Sequence, residues 1–245
     1  MAVIVLVHGA WSGSWSWKGV APLLRAAGHE VHAPTLTGLA EHSHIAPAQV
    51  NLSSHVSDIA GLLHWNDLRD VILVGHSYGG MVITGAADRE IARIRGMIYI
   101  DAFVPTSGQS AWDLSGPKRA AAQQAAAMAH DGGFSVPRAR APANSSPADA
   151  PRFDPLFTAH PIKCFSEPYV ATRADSAAWP PRHYALCTAY DPSPFHAIAA
   201  RLREDPSWSV SELDALHDVV RTHPADVTQL VARILTRWRQ ETESS

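Results

Sequence analysis

Short apolar runs alternate with longer helical patterns along most of the chain, and this alternation constrains the fold more than any other feature. In the first half, the runs and patterns stand at residues 3–7, 20–27, 30–33, 52–65, 71–74, 78–88 and 96–100. Asn51 directly precedes one helical pattern, where an N-cap residue belongs. Strands that read as continuous apolar runs are buried on both faces, as in a parallel sheet covered by helices. The sequence therefore predicts an α/β fold.

The alternation stops at about residue 106 and returns at about residue 182. The intervening stretch holds an Ala-rich patch, a Gly-Gly pair and a polar run dotted with prolines, and it is followed by further strand and helix patterns at residues 183–188, 194–203, 208–213 and 225–239. A long irregular segment inside a compact domain is usually a functional lid. We therefore predict a core domain of residues 1–105 and 182–245, with a cap inserted at residues 106–181.

Composition narrows the classes of partner. The chain has 245 residues, 46% of them hydrophobic, and a net charge of -3 with interspersed signs, which disfavours a nucleic-acid or membrane partner. The first seven residues lack the basic start of a signal peptide and read as a strand, so we expect a cytoplasmic protein. Cys164 and Cys187 stand at no metal-ligand spacing and are expected to be reduced. No metal or organic cofactor is indicated.

The motif G-x-S-x-G occurs at residues 75–79, directly after the apolar run 71–74. Alone it is compatible with an ordinary glycine-rich turn that ends a strand. Between a buried strand and a helix, however, it is typical of a nucleophile elbow, in which a serine stands on a strained turn above the sheet. Ser77 would also lie at a helix N-terminus, where negative charge is favoured. We therefore take Ser77 as the candidate nucleophile.

A serine hydroxyl needs a histidine to take its proton and a carboxylate to orient that histidine. In chain order Ser, acid, His, the candidates are Asp191, at the end of "CTAYD", and His217, in "ELDALHD" after the last strand. Asp101, in "YIDAFVP", is the alternative acid, and His223 is an alternative base that more simply opens the final helix. Our prediction is Ser77, Asp191 and His217.

The negative oxygen of a tetrahedral intermediate needs backbone N–H donors placed in advance. We expect one from Tyr78, which follows the nucleophile, and one from Ala10, in the loop after the first strand, where Gly9 allows a tight turn. A simple glycine turn is the alternative interpretation of that loop. His76 adjoins Ser77, but its side chain is expected to point beneath the elbow.

These motifs resemble one known family. In order and approximate spacing they are similar to the motifs of the α/β hydrolases, and within them to those of methylesterases, hydroxynitrile lyases and small bacterial esterases. The segments that carry the resemblance are "LVHGAWSGSWSW", "VILVGHSYGGM", "YIDAFVP", "CTAYD" and "LDALHD". The resemblance implies an α/β-hydrolase fold, a triad of Ser77, Asp191 and His217, and an oxyanion hole of Ala10 and Tyr78. It looks closest to bacterial enzymes that cleave pyrethroid-type or carbamate esters.

Two departures bear on the activity. S-selective hydroxynitrile lyases carry Thr and Lys where this chain has Gly9 and Asp218, so ester hydrolysis is favoured over cyanohydrin cleavage. A lyase with the same triad remains one alternative, and a ligand-binding protein on a hydrolase scaffold is another, although a complete triad argues against the second.

Aromatic residues of the cap and the first loop indicate an apolar pocket. The candidates are Trp11, Trp112, Phe153, Phe157 and Trp179. We therefore predict a serine esterase, monomeric or homodimeric, for a small hydrophobic carboxylic or carbamic ester.

Overall fold

The computed structural model describes residues 1–138, 155–173, 178–190 and 193–243, and it has the α/β architecture that the sequence predicts. In chain order its strands and helices are β1 (Val3–Val7), α1 (Val20–Ala26), β2 (Glu30–His32), α2 (Leu52–Trp65), β3 (Val71–His76), α3 (Gly79–Arg89), β4 (Ile94–Ile100), α4 (Ala111–Ser115), α5 (Pro117–Asp131), β5 (Ser135–Val136), β6 (His160–Pro161), α6 (Lys163–Ser166), β7 (Arg182–Cys187), α7 (Pro194–Arg203), β8 (Trp208–Leu213), α8 (Val219–Thr222) and α9 (Pro224–Glu243).

The main sheet has six strands in the order β2-β1-β3-β4-β7-β8, and each neighbouring pair is parallel. Parallel pairing brings the carboxyl ends of all six strands to one edge. The residues that follow β1, β3, β4 and β8 therefore converge there, which is where ligands bind in open α/β sheets.

The continuous apolar runs are explained by burial on both faces of the sheet. Along β1, Val5 and Val7 pack into the core beneath α2 and α3, whereas Ile4 and Leu6 pack into a second core against α1 and α9. All four side chains are fully buried. Because both faces need apolar side chains, the strand shows no polar alternation.

Most predicted element boundaries agree with the structure to within two residues. Asn51 caps α2 as expected: its Oδ1 accepts a hydrogen bond from Ser54 N at 2.9 Å, within a reciprocal capping box. β3 runs two residues further than the apolar pattern, to His76, because its pairing with β4 continues to Ile100. The last helix, α9, extends beyond the predicted end at residue 239 to Glu243.

α9 is amphipathic and closes the second core. Its apolar side chains, including Val227, Leu230 and Ile234, are buried against the sheet. None of the helices in the described ranges combines the length and apolarity that crossing a bilayer requires.

The chain between β4 and β7 forms the elements α4, α5, β5, β6 and α6. Three hydrogen bonds of Trp11 fasten this insertion to the loop after β1: its Nε1 donates to Val136 O at 2.8 Å, its N donates to His160 Nδ1 at 3.2 Å, and its O accepts from Thr158 N at 2.9 Å. The division into a core and a cap at residues 105 and 182 remains a prediction.

Buried histidines should make the fold sensitive to acid. Burial lowers the pKa of His8, His76 and His183 to about 4 each, and that of His55 to about 3. In the unfolded chain these imidazoles bind protons near pH 6.5, whereas in the folded chain they do not. The free energy of unfolding is therefore highest above pH 6.5 and falls as the pH drops towards 4.

His183→Gln should remove part of this acid sensitivity. Between pH 7.5 and pH 5, the unfolding free energy of the wild type should fall by about 2 kcal/mol more than that of the variant. Urea unfolding at the two pH values measures the difference, with exposed His44→Gln as the control. An equal decrease in unfolding free energy between the two pH values in wild type and His183→Gln would contradict the lowered pKa of His183.

Candidate active site

Ser77 lies on a sharp turn between β3 and α3. Its backbone is left-handed, with φ of 55°, which a non-glycine residue rarely adopts. The turn is tied to the neighbouring strand end, since Ser77 N donates to Ile100 O at 3.2 Å and Phe103 N donates to Ser77 O at 3.1 Å. The sheet thus holds Ser77 in a strained conformation, as is common for functional residues.

The two glycines after the elbow are required by close backbone contacts. A Cβ atom on Gly79 would lie 2.5 Å from Val7 O, and one on Gly80 would lie 2.1 Å from Phe103 O. Both distances are shorter than any normal contact, so α3 can begin this close to the sheet only without side chains at these positions.

Gly80→Ala should destabilise the protein by about 2–3 kcal/mol or more, because backbone must move to admit the methyl group. Gly61→Ala is the matched control: its Cβ would meet only Trp65 Cδ1, at 3.8 Å, in the middle of α2. There the higher helix propensity of alanine should stabilise the protein by about 0.5–1 kcal/mol. Thermal unfolding of both variants tests the pair, and similar melting temperatures would refute the contact argument.

Three side chains form a continuous hydrogen-bonded chain at the carboxyl edge of the sheet. His217 follows β8, and its Nε2 lies 2.9 Å from Ser77 Oγ. Its Nδ1 lies 2.6 Å from Oδ2 of Asp101, which follows β4 and is fully buried. This is the nucleophile, base and orienting carboxylate arrangement of a serine hydrolase.

The carboxylate that contacts His217 among the described residues is that of Asp101, the alternative acid of the sequence analysis. Asp191, which we expected in this position, lies outside the described residues. Asp101 is firmly placed: its Oδ1 accepts from Cys187 N at 3.2 Å, and its own N donates to Ala185 O at 2.7 Å. Both bonds depend on the pairing of β4 with β7.

The His217 ring is held between two aromatic rings. The rings of Phe195 and Tyr190 both stack on it with centroids 5.0 Å away, at interplanar angles of 11° and 27°. Below it, the Nε2 of His76 is 2.8 Å from His217 O. Burial lowers the pKa of His76 to about 4, so His76 is neutral and donates this bond. His76 therefore supports the His217 backbone, and it also lines the cleft beside Ser77.

The expected oxyanion-hole residues lie together beside the nucleophile. Ala10, Ser77 and Tyr78 line one small cavity, and within the described part of the chain neither the Ala10 nor the Tyr78 N–H has a hydrogen-bond acceptor. A Cβ on Gly9 would lie 3.0 Å from Ser77 Cβ, so the first loop approaches the elbow as closely as a glycine allows. Two donors are thus available next to Ser77 Oγ.

The structure contains a network of buried histidines next to the first loop, which the sequence analysis did not predict. His8 Nε2 accepts from Leu36 N at 3.1 Å, and His160 Nδ1 accepts from Trp11 N at 3.2 Å. His55 bridges Tyr78 Oη, at 3.0 Å from its Nδ1, and Thr37 O. Each link joins residues far apart in sequence, and no local pattern marks them. Together they fix the backbone that carries the Ala10 and Tyr78 amides.

His55, His160 and Cys164 also form a possible metal-ligand set. Their ligand atoms lie within 4.8 Å of one another, and all three side chains are buried. Three of the four imidazole nitrogens already take part in the hydrogen bonds above, and burial raises the pKa of the Cys164 thiol. In this state the cluster stabilises the first loop and the cap rather than presenting free ligands.

A cleft of about 150 Å³ opens beside Ser77 and His217. Trp11 and Phe157, both predicted pocket residues, line it together with Leu216. Three arginines, which the sequence analysis did not anticipate, also line it: Arg119, Arg138 and Arg221.

The arginines extend the aromatic surface of the cleft. The Arg138 guanidinium stands 5.1 Å from the centre of the Trp11 ring and 4.7 Å from that of Phe157, and Arg221 stands 5.1 Å from Phe157. Arg221 also faces the Asp218 carboxylate at 3.8 Å. Positively charged guanidinium groups therefore lie over aromatic rings of the cleft.

Two other predicted pocket residues, Trp112 and Trp179, do not line the cleft. Trp112 donates from Nε1 to Gln123 Oε1 at 2.6 Å, which packs α4 on α5, and it does not line the cleft. Trp179 lines a separate cavity further along the fold. Phe153 lies outside the described residues. Aromatic composition indicated an apolar pocket, but it could not distinguish side chains that line the cleft from those that build the cap.

Comparison with known proteins agrees with this geometry. The model of the Alpha/beta hydrolase family matches residues 4–240. The chain belongs to this family. A carbendazim hydrolyzing esterase of Nocardioides sp. (strain SG-4G) is 37% identical over 245 residues, covering 96% of this chain and 100% of the relative. Methylesterase 2 of Arabidopsis thaliana is 34% identical over 117 residues, 43% of this chain and 41% of that protein.

Among solved structures, an extracellular alpha/beta-hydrolase from a Paenibacillus species, related to tobacco salicylic acid binding protein 2, has a TM-score of 0.82. It is 24% identical and covers 95% of this chain and 98% of its own, and this likeness concerns the fold. The relatives confirm the resemblance drawn from the motifs. This α/β hydrolase is a carboxylic ester hydrolase.

Proposed function

We propose that this hydrolase cleaves small hydrophobic carboxylic or carbamic esters through an acyl-enzyme on Ser77. One observation carries the proposal: the hydrogen-bonded chain from Ser77 Oγ through His217 to the buried Asp101, at 2.9 Å and 2.6 Å. It joins three residues, from three different strand ends, in the order that acyl transfer requires.

In the first step His217 Nε2 takes the hydroxyl proton of Ser77 while Oγ attacks the substrate carbonyl carbon. Asp101 accepts a hydrogen bond from Nδ1–H, keeps Nε2 unprotonated before the attack, and stabilises the imidazolium that forms. The carbonyl oxygen gains the negative charge and is stabilised by the N–H groups of Ala10 and Tyr78.

In the second step the imidazolium of His217 donates its proton to the leaving alcohol oxygen, and the acyl or carbamoyl group stays on Ser77. Water then loses a proton to His217 and attacks the same carbonyl. Collapse of this second intermediate releases the acid or carbamic acid and returns the proton to Ser77 Oγ.

The cleft favours a substrate with a planar aromatic or heteroaromatic part. Trp11 and Phe157 give flat apolar contacts, and the guanidinium groups over them make this part of the cleft positively charged, which favours electron-rich rings and carbonyl groups. A carbamate on a nitrogen heterocycle satisfies both features, and the name of the Nocardioides relative, a carbendazim hydrolyzing esterase, agrees with this choice.

A cyanohydrin lyase fits the site less well. A Cβ on Gly9 would lie 3.0 Å from Ser77 Cβ and 3.2 Å from His76 Nδ1, so the site has no room for the threonine of the S-selective lyases. Asp218 places a carboxylate, paired with Arg221, where those lyases have a cationic lysine. A cyanide-release assay on mandelonitrile should therefore give no signal above background.

Steady-state hydrolysis of matched esters tests the substrate proposal. Carbendazim should be cleaved with a kcat/KM at least about tenfold above that of methyl N-butylcarbamate, the gain expected from aromatic stacking. p-Nitrophenyl butyrate should give an acyl-enzyme burst. Hydrolysis restricted to charged, hydrophilic esters would contradict the proposal.

Residence in the cytoplasm and a monomeric or homodimeric state are further parts of the proposal. Cys164 and Cys187 are buried free thiols, which suits a reducing compartment. Cell fractionation and light scattering of the purified protein test these two points.

A further inference from the structure

A second cavity, of about 200 Å³, lies away from the proposed catalytic site. None of the residues that line it also lines the cleft beside Ser77. Asp88, near the C-terminal end of α3, faces this cavity, and Gly79 begins the same helix at the nucleophile elbow. At about 1.5 Å per residue, α3 separates the two sites by roughly 14 Å.

Asp88 supplies an unused hydrogen-bond acceptor. The residue is 3% exposed. Its Oδ2 accepts two bonds, from Thr172 N and Thr172 Oγ1, both at 2.6 Å. Its Oδ1 is buried and has no partner among the described residues. An unpaired buried carboxylate oxygen is unfavourable, so a donor in the cavity would stabilise the site.

Unused donors line the same cavity. Tyr169 Oη, Arg173 Nη1 and Arg182 Nε are buried and lack acceptors among the described residues. The other ends of both arginines are fixed, since Arg173 Nη2 donates to Ala178 O at 2.8 Å and Arg182 Nη2 donates to Ser207 Oγ at 2.6 Å. Two guanidinium groups with one end fixed and one N–H unpaired among the described residues therefore line the cavity, which favours a carboxylate.

Indole rings form the walls. Trp179 and Trp208 line the cavity, and the Arg182 guanidinium stands 5.8 Å and 4.5 Å from their ring centres. Arg173 stands 5.2 Å from Trp179. Indole rings with guanidinium groups over them form a flat, positively charged wall, which favours an aromatic ligand that carries negative charge.

We propose that this cavity is a second ligand site, for a small aromatic molecule that carries both an amine or N–H donor and a carboxylate. The donor pairs with Asp88 Oδ1, the carboxylate pairs with Arg173 and Arg182, and the ring packs against the wall that the indoles and guanidinium groups form. Ordered water is the competing occupant, because water can also satisfy isolated polar atoms.

Ligand-observed NMR titration of the full-length protein tests the site with 4-aminobenzoate and with benzoate, which lacks the amine. Neither probe is an ester, so the result is independent of the proposed hydrolysis. The wild type should bind 4-aminobenzoate at least about fivefold more tightly than benzoate, as a charge-assisted hydrogen bond allows.

Asp88→Asn should abolish this preference and leave the Kd of benzoate unchanged. The asparagine oxygen can still accept the hydrogen bonds from Thr172. The amide N–H₂ group then takes the position of Asp88 Oδ1, so that a donor replaces the acceptor. A merely structural effect would weaken both probes together. Asp214→Asn, at an exposed position, is the matched control and should leave both Kd values unchanged.

Arg182→Met provides a second, independent variant that keeps an apolar stem against the indoles. It should weaken both probes about tenfold, since each carries the carboxylate. Equal affinities of wild type for the two probes, or an amine preference that survives in Asp88→Asn, would overturn the proposal and assign the cavity to water.

Discussion

Ser77→Ala is expected to lower kcat for p-nitrophenyl butyrate by about 10⁴-fold or more, because Ser77 carries the cleft hydroxyl that is hydrogen-bonded to His217. The melting temperature should stay close to that of the wild type. Alanine keeps the Cβ, and the backbone bonds from Ser77 N to Ile100 O and from Phe103 N to Ser77 O are unaffected.

Stopped-flow and steady-state assays measure this loss, and Ser43→Ala, at an exposed position, is the control for a serine deletion elsewhere. A Ser77→Ala variant that keeps most of the wild-type kcat would refute the nucleophile. Loss of activity together with loss of the fold would point to a structural defect, which circular dichroism on the same sample detects.

Asp101→Asn should lower kcat by about 10³–10⁴-fold through the tautomer of His217. The asparagine oxygen takes the place of Asp101 Oδ1 and can keep the hydrogen bond from Cys187 N. The amide N–H₂ then faces His217 Nδ1 and donates to it. The proton of the neutral ring moves to Nε2, and His217 can no longer accept the proton of Ser77.

Asp191→Asn is the decisive comparison, because Asp191 is the acid that the motif order predicted. If Asp101 orients His217, Asp191→Asn should change kcat by less than about tenfold. A large loss in Asp191→Asn with a small loss in Asp101→Asn would transfer the role to Asp191. The KM values of both variants should remain near that of the wild type, since neither carboxylate is proposed to touch the substrate.

The sequence predicted the sheet well because burial of a strand on both faces produces a continuous apolar run in the sequence. Strands such as β1 and β3 contain apolar side chains at consecutive positions, and the structure distributes these over two cores. The nucleophile elbow was predicted equally well, because the close backbone contacts at Gly79 and Gly80 leave no room for a side chain at these two positions.

The choice of acid was beyond the sequence because Asp101 and Asp191 both follow strands that end at the same sheet edge. What brings Asp101 to His217 is the backbone turn after β4, where Asp101 has φ of 43°. Trp11 and Ser77 also have positive φ, 63° and 55°. Local preference argues against such conformations for non-glycine residues, and at Asp101, unlike at Ser77, no sequence motif marks the strained turn.

The pocket was predicted only by its general character. Aromatic side chains of the cap share no spacing that separates a cleft wall from a packing contact, and so Trp112 and Trp179 could not be told apart from Phe157. The arginines of the cleft come from α5, from the chain after β5 and from α8, which are distant in the sequence.

The most direct test of the account is the mass of the intact protein after incubation with a fluorophosphonate, followed by peptide mapping. We predict a single adduct, on the peptide that contains Ser77, and no adduct in Ser77→Ala. An adduct on another serine, or none while the cleft still binds a small aromatic ligand, would contradict an activated nucleophile at Ser77.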